Sequence, residues 1–328
     1  MNGIHGIFAA YPMASGPQCA RCQAMLINNG GAGTPYVTGA THIVGWNQVE
    51  AVHGVYNWSG VDALLAAWWA GGKPSGLLLC PTSYNGNTWT PSWYSSANQM
   101  FQGGNGNLPV FWSSAFTTAW QTFLAAAVAR YGADQRVAYL RTGFIGFENY
   151  ADKNAGQNNA VMSAIGYSES VWCGAVESMA TYCAGLSPKF QFSVNFDNYG
   201  TKATSFPLGT SAYAAGLGMA LCSAGLQASD LTAAVTSNDS FAVFAAEPGT
   251  VALGQQTVSL SELPGENWGM NCGPLAPLLP FATSRGTTFF ELFTQDVLAA
   301  FDSQSSRYQA AQQAGYPGAI KTAFALIG

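Results

Sequence analysis

Ala138-Tyr-Leu-Arg-Thr-Gly-Phe-Ile-Gly-Phe-Glu148-Asn149 is the stretch on which the reading of the fold turns. An apolar run rich in strand formers breaks into glycines and then meets one carboxylate. Charged residues make up only 8% of the chain, so a lone Glu closing such a run needs a reason. Phe241-Ala-Val-Phe-Ala-Ala-Glu247-Pro248 has the same shape about a hundred residues later. Two glutamates at the C-terminal ends of two buried strands are what a barrel with paired carboxylates at its mouth would show.

Working outward, apolar runs alternate with helical periodicity. Strands are expected at Gly6–Tyr11, Tyr36–Trp46, Ser75–Cys80, the Glu148 run, Phe190–Asn195, Met219–Cys222, the Glu247 run and Phe289–Phe293. Between them, Val61, Leu64, Leu65 and Trp68 recur at helical spacing, with Ser59 and Asp62 at capping-box spacing. A second helix is expected over 114–131, and others near 20–27, 159–186, 211–217, 229–236, 297–301 and 306–314. Runs such as Leu77-Leu-Leu-Cys80 are apolar on both faces, as in a parallel sheet covered on both sides. Eight such units make a single-domain (β/α)8 barrel over residues 1–328 the economical fold. The alternative is an open doubly wound sheet. It would carry a glycine-rich phosphate turn after its first strand, where this chain has Tyr11-Pro-Met-Ala-Ser-Gly16. Residues 81–109 read as one long aromatic loop, and a loop of that length is usually functional.

Composition excludes several classes. Lys and Arg total 11 against 16 Asp and Glu, net −5, with no basic cluster, so nucleic acid is not expected as a partner. No apolar run reaches the ~18 residues of a membrane span. The 38 glycines, with Ser, Thr, Asn and Gln, cover the surface in place of charge. That pattern suits a secreted or periplasmic protein acting on a neutral polymer, and Met1-Asn-Gly3 reads as a start placed directly before mature sequence. Cys19-Ala-Arg-Cys22 has metal-ligand spacing but no second pair, and His5, His42 and His53 have none. Neither a metal nor another cofactor is expected. The seven cysteines are expected as disulfides or buried thiols, the odd count leaving one unpaired if all pairs are internal. No G-x-S-x-G elbow supports a serine hydrolase.

Four passages resemble the retaining (β/α)8 glycoside hydrolases of clan A, nearest to the β-galactosidase-like and xylosidase-like members. They are Trp46…Glu50…Gly54-Val-Tyr56-Asn-Trp58…Asp62, then Thr90-Pro91-Ser-Trp93, then Leu108-Pro-Val-Phe-Trp112 through Arg130-Tyr131-Gly132, and finally Glu148 and Glu247 in their order. The resemblance is good over about residues 36–150 and thin beyond. It implies hydrolysis of β-glycosidic bonds in a neutral oligo- or polysaccharide by double displacement. Glu148 would be the acid/base and Glu247 the nucleophile, with carboxyls about 5–5.5 Å apart. Glu291, alone in Phe289-Phe-Glu-Leu-Phe293, is the rival nucleophile or a substrate contact. Asn149, Asn195 and Asp197 are candidate hydroxyl partners. Trp46, Tyr84, Trp89, Trp93 and Trp268 are candidate platforms for the apolar face of a pyranose. The family's acid/base follows an Asn, whereas Phe147 precedes Glu148 and Asn149 follows it. That departure gives the second reading, a carbohydrate-binding protein without turnover on the same barrel.

Overall fold

The computed structural model describes residues 4–10, 23–27, 34–82, 89–103, 106–142, 163–194, 205–231, 251–257, 261–263, 266 and 272–327. Strands β1 (Gly6–Ala10), β2 (Gly39–Gly45), β3 (Ser75–Cys80), β6 (Val137–Thr142), β7 (Phe190–Val194), β8 (Ala220–Leu226), β9 (Leu253–Thr257) and β10 (Phe289–Phe293) close into a barrel. Every stave pairs in parallel with the next in sequence, and β10 returns to β1. A separate antiparallel hairpin, β4 (Met100–Gly103) with β5 (Gly106–Pro109), lies between the third and fourth staves. The (β/α)8 expectation holds.

Side-chain alternation sorts the staves into two surfaces. Ile7, Ala9, Val44, Leu77, Leu79, Leu140, Phe190, Phe192, Leu221, Phe290 and Leu292 join the apolar layer shared with the helices. Leu78, Cys80 and Ile43 form a small cluster of their own on the opposite face, inside the barrel. The ring of Tyr139 fills the barrel against Phe8, centroids 5.2 Å apart. Gly76 makes room for it: a Cβ there would stand 2.0 Å from the Tyr139 ring.

The outer layer is densest around Trp46. Its indole meets Trp120 at 5.2 Å, Tyr94 at 5.3 Å and Trp93 at 5.5 Å between centroids. Its Nε1 donates to Glu50 Oε2 at 2.7 Å, and Glu50 Oε1 accepts from the Gly54 amide at 2.8 Å. One buried carboxylate thus satisfies the buried indole and pins the turn leading to the helix Ser59–Trp69.

Several local expectations are corrected. The helix Ser59–Trp69 is capped from outside by Asn57, whose Oδ1 accepts from Ser59 N and Oγ. Asp62 instead turns to the next helix, Ser114–Tyr131, accepting from Arg130 and from the Tyr131 hydroxyl at 3.0 Å. The second strand stops at Gly45 and Trp46 opens a short helix, Trp46–Val49. The long segment 81–109 contains the helix Ser92–Ser95 and the β4–β5 hairpin. The helix expected over 159–186 runs Glu169–Leu186, and that over 211–217 runs Ser205–Gly216. Of the helix expected at 229–236, the described part is a 3-10 turn, Ala228–Leu231, and residues 232–236 lie outside the described residues. Helices Leu275–Ser284 and Tyr316–Ile327 were not anticipated.

The largest correction concerns the seventh stave. It is Leu253–Thr257, hydrogen-bonded between β8 and β10. The run Phe241–Glu247 lies outside the described residues. Position 247 therefore precedes the seventh stave in sequence and does not terminate it. Cys80, Cys173, Cys183, Cys222 and Cys272 form no disulfide with one another, while Cys19 and Cys22 lie outside the described residues.

Candidate active site

The C-terminal ends of the staves define the mouth, where barrels of this architecture carry their chemistry. Trp89 is the candidate platform placed there. It packs on the interior cluster of Ile43, Leu78 and Cys80 and stays half-buried. Its indole lies against Gly45, the last residue of β2, where a Cβ would stand 2.7 Å from Cγ of the ring. Gly45 pairs with Cys80, the last residue of β3, so Trp89 covers the ends of two neighbouring staves. Any larger residue at 45 would lift the ring off the mouth.

Trp93 lies elsewhere. It belongs to the outer aromatic layer, donates from Nε1 to the Glu50 carbonyl at 3.0 Å and stacks on His53 with centroids 4.1 Å apart. Trp46 is fully buried with its faces taken by protein rings, so its expected role in binding substrate gives way to packing. The structure therefore separates Trp89 from Trp46 and Trp93, three rings the sequence reading had grouped. Tyr84, Glu148, Asn149, Asn195, Asp197, Glu247 and Trp268 lie outside the described residues. The fourth and fifth staves end at Thr142 and Val194, so the chain passes from those ends into the segments carrying Glu148 and Asn195.

Glu291 sits at the middle of β10 and points into the barrel, fully buried. Its Oε2 accepts from Arg141 Nη2 at 2.8 Å, and Oε1 accepts from the Thr41 hydroxyl at 2.9 Å and from the Tyr139 phenol. Arg141 also reaches Gln256 Oε1 at 3.3 Å and the Cys222 sulfur at 2.8 Å. A carboxylate with every donor supplied by the protein is a structural anion, and this replaces the expectation that Glu291 touches substrate. Burial, and then the charge of Glu291, pushes the Tyr139 phenol well above its ordinary range. Burial drives the Cys222 thiol up to about 12, so it stays protonated beside the guanidinium.

A second buried anion stands at the rim. Asp296 lies in the first turn of the helix Thr294–Phe301, directly after β10. Thr294 ties that turn to the end of β1, its hydroxyl donating to the Ala10 carbonyl at 2.9 Å. Asp296 accepts from Ser261 N at 2.9 Å, Ser261 Oγ at 2.5 Å and Arg307 Nη1 at 2.9 Å. Arg307 also donates to Glu266 Oε2 at 2.8 Å and to the Ser261 carbonyl at 2.5 Å. The segment after the seventh stave is thereby fastened to two elements after the eighth. Burial raises the Asp296 carboxyl to about 6, with the bonds from Ser261 and Arg307 pulling the other way. Sequence reading missed this network because Ser261 and Glu266 lie 35 to 46 positions from the Asp296 and Arg307 they bind. An Asp in a helix's first turn reads as an ordinary partner for the helix dipole.

Among the described residues, no group of His, Cys, Asp and Glu is arranged to hold a metal ion, and no helix is long and apolar enough to cross a membrane.

No known protein family matches the chain, and no curated protein matches it. Its fold is similar to the catalytic domain of β-amylase from Paenibacillus polymyxa, at 11% identity and a TM-score of 0.62, covering 97% of this chain and 98% of that one. It is also similar to the polyextremophilic β-galactosidase of the Antarctic haloarchaeon Halorubrum lacusprofundi, at 11% identity and a TM-score of 0.56. That match covers 98% of this chain and 58% of the β-galactosidase. At such identity the likeness is one of architecture, a single (β/α)8 barrel.

Proposed function

We propose that the chain is a glycoside hydrolase working at the C-terminal mouth of its barrel on β-linked, neutral oligo- or polysaccharide. The observation that carries this reading is Trp89, a half-buried indole over the ends of β2 and β3. A pyranose presents apolar C–H groups on one face, and a fixed indole at the mouth offers them a flat partner with little entropy to lose. The barrel shared with a β-amylase and a β-galactosidase supports a glycoside hydrolase, and the order of the sequence passages supports the β-linkage.

In the proposed reaction Glu148, following the fourth stave, protonates the departing glycosidic oxygen while a carboxylate attacks the anomeric carbon. The C–O bond to the leaving group breaks as the glycosyl–enzyme ester forms. Water, deprotonated by Glu148, then cleaves the ester and restores both groups. Glu247 enters as nucleophile on the sequence resemblance alone, since it precedes the seventh stave. Glu262, the first carboxylate after that stave, is the rival.

One observation favours the second reading, a carbohydrate-binding barrel without turnover. The seventh stave ends Gln255-Gln256-Thr257, without a carboxylate, and Gln256 is engaged by Arg141. A panel of aryl β-glycosides, with calorimetric titration of neutral oligosaccharides, separates the two. The hydrolase reading expects aryl release abolished by Glu148→Gln and Glu247→Gln while oligosaccharide binding persists. Binding with no release by the wild type leaves the second reading. Normal turnover in both variants removes the proposed pair.

A further inference from the structure

The barrel interior is packed unevenly. On one side β1, β6 and β10 send in Phe8, Tyr139 and Phe289, ring against ring. On the other side β7 and β8 send in Gln191, Ser193, Ala220 and Cys222. Register fixes this: Arg141 pairs with Gln191, Gln191 with Ala220, and Ser193 with Cys222, and paired residues of parallel strands share a face. Arg141 Nη1 meets the Cys222 sulfur at 2.8 Å, so that face is the interior. Barrel interiors are ordinarily filled by bulky branched side chains. Here a glutamine, a serine, an alanine and a cysteine stand opposite the rings.

Gln191 is fully buried and Ser193 is 1% exposed. Neither the amide nitrogen nor the amide oxygen of Gln191, nor the hydroxyl of Ser193, has a partner among the described residues. Three unmet polar atoms two residues apart on one strand would forfeit a large share of a protein's marginal stability. They also border the buried Arg141–Glu291 ion pair, which is tolerable inside a protein only where polar groups solvate it.

We propose that the interior between β6, β7 and β8 is a polar well holding ordered water, bound by Gln191 and Ser193 and solvating the buried ion pair from its β7 side. The amide offers the water both a donor and an acceptor, and the hydroxyl one turn of the pleat away supplies the further partner that a buried water requires. The site is independent of any carbohydrate chemistry at the mouth. Its ligand is water itself, because Gln191, Ser193, Ala220 and Cys222 are neutral and the charge of Arg141 beside them is already met by Glu291.

Oxygen-17 magnetic relaxation dispersion on the whole protein counts waters held in the interior. The wild type is expected to hold long-lived internal water, Gln191→Leu to lose at least one such molecule, and Ser193→Ala, the gentler variant, to shorten its residence time or release it. Thermal melts of the same proteins should show Gln191→Leu lowered, since a bridged amide is lost. A water count and residence time unchanged in both variants, with Gln191→Leu melting higher as an apolar replacement in a dry core would, overturns the proposal.

Discussion

Breaking the Arg141–Glu291 pair should unfold the barrel's centre more readily than any surface change. Both side chains are 0% exposed and their charged atoms are 2.8 Å apart. At an effective dielectric of about 20, that separation corresponds to a gross attraction of about 6 kcal/mol. Most of it offsets the cost of removing two charges from water, so the pair's net worth is small. Removing one partner is a different matter. Glu291→Gln leaves a guanidinium in the barrel without its carboxylate, facing neutral groups that include the Gln256 amide oxygen and the Cys222 thiol, and it turns an acceptor of three bonds into a mixed donor. The expected loss is about 3–5 kcal/mol. Arg141→Met should cost a similar amount, since the hydroxyls of Thr41 and Tyr139 cannot neutralise the carboxylate. The double variant Arg141→Met/Glu291→Gln should recover much of the sum, because no buried charge is then left unpaired. Urea unfolding followed by the fluorescence of the ten tryptophans reads all four proteins. Strict additivity, or a Glu291→Gln protein within about 0.5 kcal/mol of wild type, would refute the assignment of Glu291 as a structural anion.

Three further expectations follow from the same geometry. Asp296 has its carboxyl raised from 3.8 to about 6, so the folded state holds a proton there that the unfolded chain has released. Its contribution is present below about pH 4 and lost as pH rises through 6, about 3 kcal/mol in all, so Asp296→Asn should gain on the wild type across that window; parallel pH–stability curves would contradict this. Trp46→Ala, which empties the centre of the outer aromatic layer, should cost about 3–5 kcal/mol in denaturant unfolding; a fully stable protein with altered sugar affinity alone would return Trp46 to the substrate. Trp89→Ala should weaken oligosaccharide binding by about 1–2 kcal/mol in calorimetric titration, on the scale of an aromatic partner. Its melting temperature should fall little, since the ring is half-buried; unchanged affinity would remove the platform from the site.

The barrel was legible wherever a stave carried an apolar run. Ser75-Gly-Leu-Leu-Leu-Cys80 and Phe289-Phe-Glu-Leu-Phe293 are strands to the residue. The seventh stave was not legible because Leu253-Gly-Gln-Gln-Thr257 has one large apolar side chain. Its inward glycine yields space to Phe289, where a Cβ would stand 1.9 Å from that ring, so tertiary packing and not local pattern makes it a strand. The apolar run at 241–246 drew the reading there instead. Arg141 pairs with Glu291 from the opposite side of the barrel, a pairing set by closure and invisible to spacing. Aromatic residues showed the same limit. Trp46, Trp89 and Trp93 look alike in sequence, but only Trp89 follows a stave with a bare glycine beneath its ring. Which carboxylates converge at the mouth was open in the sequence, and the corrected seventh stave sharpens that question.

A single labelling measurement bears on it most directly. A 2-deoxy-2-fluoro aryl β-glycoside, matched to whichever sugar the aryl panel selects, slows the second displacement and leaves the sugar esterified to the attacking carboxylate. Peptide mapping by mass spectrometry should find one glycosyl adduct, on the peptide containing Glu247. An enzyme that turns over the parent glycoside yet carries its adduct on Glu262, or carries none, would contradict the proposed pairing of Glu148 with Glu247.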